Sequence, residues 1–138
     1  MSTGSPSKTI VASLRAEPLG SVIIDAALRE CALRSARLVV LDARPNDEQP
    51  PQPSSLAKEA ERRAREAGVE VEVRAMARSR SAGTTAVWLA SELDADLLII
   101  GLRRRSPVGK LVLGSDTQDA VLGADCPILA VKAAPEHD

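Results

Sequence analysis

Apolar residues fall along this chain in two alternating rhythms. The run KTIVASL (8–14) is short, apolar and rich in β-branched residues, which predicts a first strand. In 17–36 the residues Ile24, Ala27, Leu28 and Cys31 recur at helical spacing and mark one helix face. RLVVLDARP (37–45) reads as a second strand stopped by Pro45, and the proline-rich NDEQPPQPSS (46–55) as a loop. A second helix is predicted over 55–68, with the stripe Leu56, Ala60, Ala64 and Ala67, a charged opposite face and Gly68 as its stop. VEVEVRA (69–75) alternates strictly, as a half-buried strand near a sheet edge does. A basic loop (76–84) follows, then a third helix (85–95) with Ala86, Leu89, Ala90 and Leu93 facing inward. DLLIIG (96–101) is continuous enough for a strand buried on both faces. SDTQDAVLG (115–123) predicts a short last helix, with Ser115 as N-cap, Gln118 completing a capping box and Gly123 as its stop. CPILAVK (126–132) is the fifth strand.

Strands alternating with helices at this spacing predict an α/β fold: a five-stranded, mostly parallel sheet with helices on both faces. Right-handed crossovers leave few topologies, and the order 3-2-1-4-5 is expected. In that order the sheet reverses between strands one and four. Ligands of such sheets bind beyond the carboxyl ends of the strands at this point. Those ends are Ser13–Leu14 and Ile100–Gly101.

Composition narrows the chemistry. The 138 residues fit one domain over 1–138, with 1–7 and 133–138 expected to be flexible. Hydrophobic residues at 44% and charged residues at 27% suit a soluble globular protein, expected in the cytoplasm because no signal core or membrane span is visible. One Trp and no Phe or Tyr leave no aromatic platform for bases, and a net charge of -1 argues against nucleic acid as a partner. Trp88 is read as packing or partly exposed. Cys31 and Cys126, far apart in apolar contexts, read as reduced core residues, and His137 is the only histidine, so no metal set is recognisable. Arg74, Arg78 and Arg80 lie near the end of strand three; solvent exposure is their simplest reading, contact with an anionic ligand the other.

The stretch GLRRRSPVGKLVLGSD (101–116) begins at the predicted crevice. Its Gly109–Lys110 imitates a P-loop, but Arg104 stands where that motif needs glycine and Leu111 where it needs Ser or Thr. The parts of an anion site are nevertheless present. Gly101 ends a strand, Arg103, Arg104 and Arg105 carry charge, and Gly114–Ser115 opens a helix whose N–H groups and dipole favour anions.

Gly101, position 104, Gly114 and Ser115 also match the spacing G-x2-G-x9-G-[ST], and CPILAVK follows. In these features the C-terminal half resembles the universal stress protein family, and the number and order of elements extend the likeness more weakly to the whole chain. The resemblance implies the 3-2-1-4-5 sheet of the adenine nucleotide alpha hydrolase-like fold and, in many members, binding of ATP or a related adenine nucleotide, with Mg as an optional companion; other members hold none. Carried over by position, the nucleotide-binding residues are Ala43, Gly101, Arg103, Arg104, Gly114, Ser115 and Asp116, with Leu14 at the strand-one position; the strand ends at the switch point add Ser13 and Ile100. Two positions depart from the pattern. Leu14 stands where an adenine-binding Asp is expected, and Arg104 replaces the middle glycine, where it either crowds a phosphate or pairs with it.

Three functions follow as expectations. The first is a nucleotide-binding module in stress response or signalling. The second is a structural or signalling homodimer of the same family that has lost ATP, paired through the last strand, Pro127 to Lys132. The third, a weak nucleotide hydrolase, lacks a recognisable base and nucleophile; Asp116 reads more readily as a helix N-terminal acid than as a metal ligand. No membrane partner is expected.

Overall fold

The computed structural model describes residues 8–78, 80–103 and 113–133. In chain order the elements are β1 (Lys8–Ser13), α1 (Leu19–Arg34), β2 (Ala36–Arg44), α2 (Ser55–Glu66), β3 (Val71–Ala77), α3 (Ala82–Glu92), β4 (Leu97–Leu102), α4 (Ser115–Gly123) and β5 (Ile128–Lys132). All strand pairs are parallel and the order is β3-β2-β1-β4-β5, as the alternation of elements predicts.

The two faces of the sheet carry separate cores, sorted by the period-two alternation of strand side chains. Ile10, Ala12, Leu38, Val40, Leu97 and Ile99 face α1 and α2. Val11, Val39, Leu41, Leu98 and Ile100 face α3 and α4. β4 is thus buried on both sides, which explains its uninterrupted apolar run. With no Phe or Tyr, these cores are filled by aliphatic side chains and by alanines, notably Ala57, Ala60 and Ala64, which let α2 lie close to the sheet.

Several boundaries differ from the expected ones for local reasons. β3 starts two residues later than predicted, because Gly68 turns with φ +76° and Val69 N–H closes the end of α2 on Ala64 O. It then runs to Ala77, paired with β2 as far as Arg44. α3 begins at Ala82, three residues early, capped by Ser81, whose Oγ accepts from Thr84 N–H at 3.1 Å. The predicted 76–84 loop therefore shrinks to a few residues. β5 begins at Ile128, since Pro127 has no N–H for the ladder. The expected capping box at Ser115 does not form. Gly114 is the N-cap, Ser115 is the first helical residue, and the Gln118 amide donates to Leu113 O at 3.3 Å. Trp88 is 51% exposed, Cys31 is buried and Cys126 half-buried, both as free thiols. Burial, reinforced by Glu30, pushes the Cys31 thiol up to about 11, and burial raises that of Cys126 as well. No helix among the described residues is long and apolar enough to cross a membrane.

Candidate functional site

At the carboxyl ends of β1, β2 and β4, where the sheet changes direction, lies a crevice of about 530 Å³. One wall is built by Leu14 and Ala43 at the ends of β1 and β2, with Leu56 of α2 beyond them. Leu14 is only 8% exposed, and its N–H donates to Leu41 O at 2.9 Å, so its side chain is held between the core and the crevice. The lining also carries Arg15, Arg103 and Asp116. A smaller lobe of about 40 Å³, lined by Arg15, Gly101, Arg103, Gly114, Ser115, Asp116 and Thr117, shares those three residues. Ser115 is exposed, and its side chain has no capping duty.

Most of the sequence-predicted residues converge here, in different roles. Arg103 is exposed on the crevice wall. Gly114, Ser115 and Asp116 present the first turn of α4. Gly101 lines the lobe, but the space its missing Cβ would take belongs to α1. A Cβ there would lie 2.9 Å from Ile23 Cδ1 and 3.3 Å from Leu19 Cδ2. The glycine thus gives α1 room to pack closely on β4. Ser13 and Ile100 are buried, and the space beside them amounts to about 10 Å³ behind Asp116, so they support the site from beneath. Arg104 lies outside the described residues.

Sequence reasoning missed Arg15. Attention to the absent acid at Leu14 passed over the cation beside it, two residues past the strand end. Arg15 Nη1 stands 3.4 Å from Asp116 Oδ2, while Asp116 Oδ1 accepts from Ala82 N–H at 3.2 Å. One carboxylate therefore joins the loop after β1 to the N-termini of α3 and α4. Its charge, which at the start of α4 would oppose an incoming anion, is offset by a guanidinium and a helix N-terminus. The helices meet so closely that a Cβ on Gly83 would fall 2.0 Å from Asp116 O. Asp42 and Ser54 were also missed. Buried Asp42 accepts from Ser54 N–H at 2.7 Å and lies 3.9 Å from Arg44, while Ser54 Oγ caps α2 through Ala57 N–H. The basic residues after strand three divide. Arg74 is tied to Glu72, Arg78 lines the crevice, and Arg80 is exposed.

The fold is a doubly wound parallel sheet, and its crevice lies at the switch point, where α/β proteins of this class hold their ligands. The comparisons make the class specific: the model of the universal stress protein family matches residues 8–132, and the chain belongs to that family. A universal stress protein of Mycolicibacterium smegmatis is 32% identical over 126 residues, covering 89% of this chain and 96% of the relative. Among solved structures, a universal stress protein of Archaeoglobus fulgidus matches with a TM-score of 0.73 at 25% identity, over 91% of this chain and 98% of its own. Another, a universal stress protein in complex with cAMP, matches with a TM-score of 0.71 at 25% identity, over 93% of this chain and 98% of its own.

Proposed function

We propose that the crevice binds an adenine nucleotide, the base against Leu14 and the Ala43 backbone and the phosphates at Arg15, Arg103 and the Gly114–Ser115 start of α4. The observation that carries this reading is one 530 Å³ space lined by apolar Leu14, Ala43 and Leu56 as well as by Arg15 and Arg103, adjoining a smaller lobe at the Gly114–Ser115 start of α4, surfaces suited to the two halves of a nucleotide. The relative solved with cAMP supports it from outside the chain. Because Leu14 cannot accept a hydrogen bond from the adenine amino group, the base is held by packing and backbone, and base selectivity is low. ATP, with or without Mg, and shorter adenine nucleotides are candidates alike, and the binding would serve stress response or signalling. Crystals soaked with AMP test the pose: density bridging Ala43 and Ser115 is expected, and an empty crevice at saturating AMP contradicts it.

A specific observation favours a homodimer beside this function. β5 ends the sheet order with one edge unpaired among the described strands, and its Ile128, Leu129 and Val131 are only half-buried. An edge of this kind accepts a second copy. A dimer by sedimentation velocity is the expected result, and a monomer at high concentration rules the pairing out.

A further inference from the structure

The lining of the crevice includes a further group of residues that the nucleotide reading leaves unused. Arg78 joins Arg44, Ser54, Ser55 and Leu56 in it. The arginines of the crevice are not equivalent. Arg44 makes two hydrogen bonds to Glu48, at 3.2 and 2.7 Å, and stands 3.9 Å from Asp42. Arg15 pairs with Asp116. Arg78 and Arg103 have no carboxylate partner among the described residues. Two acids of the lining are committed as well: Asp42 to Ser54 N–H, and Glu17 to the first turn of α1 through Ser21 N–H and Oγ. Arg78 is also held in place. Its N–H donates to Arg44 O at 3.1 Å, continuing the β2–β3 pairing one residue past the strand.

These two arginines, unpaired among the described residues, follow β3 and β4, which are three sheet positions apart. At strand spacing their backbones are about 14 Å from one another, and both residues line the crevice. One phosphate chain on the α4 wall satisfies Arg103 and leaves Arg78 facing the same space. We infer that the crevice has a second anion subsite at Arg78, and that its preferred ligand is a nucleotide carrying phosphate groups at two separate positions, a nucleoside bisphosphate, rather than one with a single phosphate chain. This rests on the nucleotide reading above and specifies its ligand class.

Titration of the full chain with AMP, ADP and adenosine 3′,5′-bisphosphate tests it. ADP controls for a second phosphate added to the same chain. The bisphosphate is expected to bind about five- to tenfold more tightly than AMP, the size of one charge-assisted contact. In Arg78→Gln the ratio of the two dissociation constants should fall towards one, while the ratio of AMP to ADP stays as in the parent. A bisphosphate no tighter than AMP, or an advantage that survives Arg78→Gln, overturns the second subsite and leaves the nucleotide reading standing. Failure of all three nucleotides to bind overturns both.

Discussion

Gly83 shows how a single methyl group decides a contact on which the site depends. Alanine in a helix is worth about 1 kcal/mol over glycine by propensity. Here, however, the added Cβ would sit 2.0 Å from a backbone oxygen that cannot swing aside. Overpacking of this kind costs about 1–3 kcal/mol, so Gly83→Ala is predicted to lower stability in chemical denaturation despite the better propensity. A neutral or stabilising effect would mean that the α3 and α4 N-termini are not in contact. Cys31 gives a second residue-level prediction, with a sign. Its thiol is pushed up to about 11 in the fold from an ordinary 9.0, so the folded protein keeps a proton that the unfolded chain releases. The stability this provides is complete below pH 9 and declines from there to about pH 11, by roughly 1.4 kcal/mol per pKa unit. Denaturation midpoints across that window should fall more steeply for the parent than for Cys31→Ala; parallel slopes contradict the burial argument.

Helix starts hold the crevice together, and they separate capping from binding. Ser81 caps α3 and also donates to Asp119 Oδ2 at 2.7 Å, fastening α3 to α4. Ser81→Ala is expected to cost about 1 kcal/mol in thermal or chemical unfolding. Ser115 caps nothing, so Ser115→Ala should leave stability within about 0.5 kcal/mol while weakening nucleotide binding. The reverse pattern would restore Ser115 to the N-cap. Element order and sheet topology were legible in the sequence because short apolar runs and stretches of helical period follow one another from Lys8 to Lys132. What escaped was what only tertiary contact fixes. Gly83 and Thr84 hid the start of α3, since a glycine and a β-branched residue look unhelical until a cap and a neighbouring helix hold them. The capping box at Ser115 was a local pattern overruled by the preceding glycine. The bond from Asp116 to Arg15 joins residues 101 positions apart, a distance at which no motif spacing is informative.

At the scale of the whole molecule, the strand order does most of the functional work. Parallel strands in the order β3-β2-β1-β4-β5 bring the loops after β1, β2, β3 and β4 to one end. Gly101 and Gly114–Ser115 were found from sequence because the fold and the family spacing point to the same place. Arg15 became visible only when the crevice was closed around it, and the crevice singled out Arg78 from the three arginines that the sequence had offered near the end of strand three. A ligand that binds the folded state alone stabilises it by RT ln(1 + [L]/Kd), about 2.7 kcal/mol at a hundredfold excess over Kd. Saturating AMP is therefore expected to raise the unfolding midpoint of the parent and to raise that of Arg103→Gln less at the same concentration.

The account rests on the cationic wall of the crevice being a nucleotide phosphate site. Isothermal titration calorimetry of the purified protein with AMP, run in parallel on the Arg103→Gln variant, tests this most directly. The predicted result is saturable binding of one nucleotide per chain, weakened about five- to tenfold by the substitution, the worth of one charge-assisted contact to phosphate. Absence of binding at millimolar AMP, or equal affinity in the parent and the variant, would contradict it.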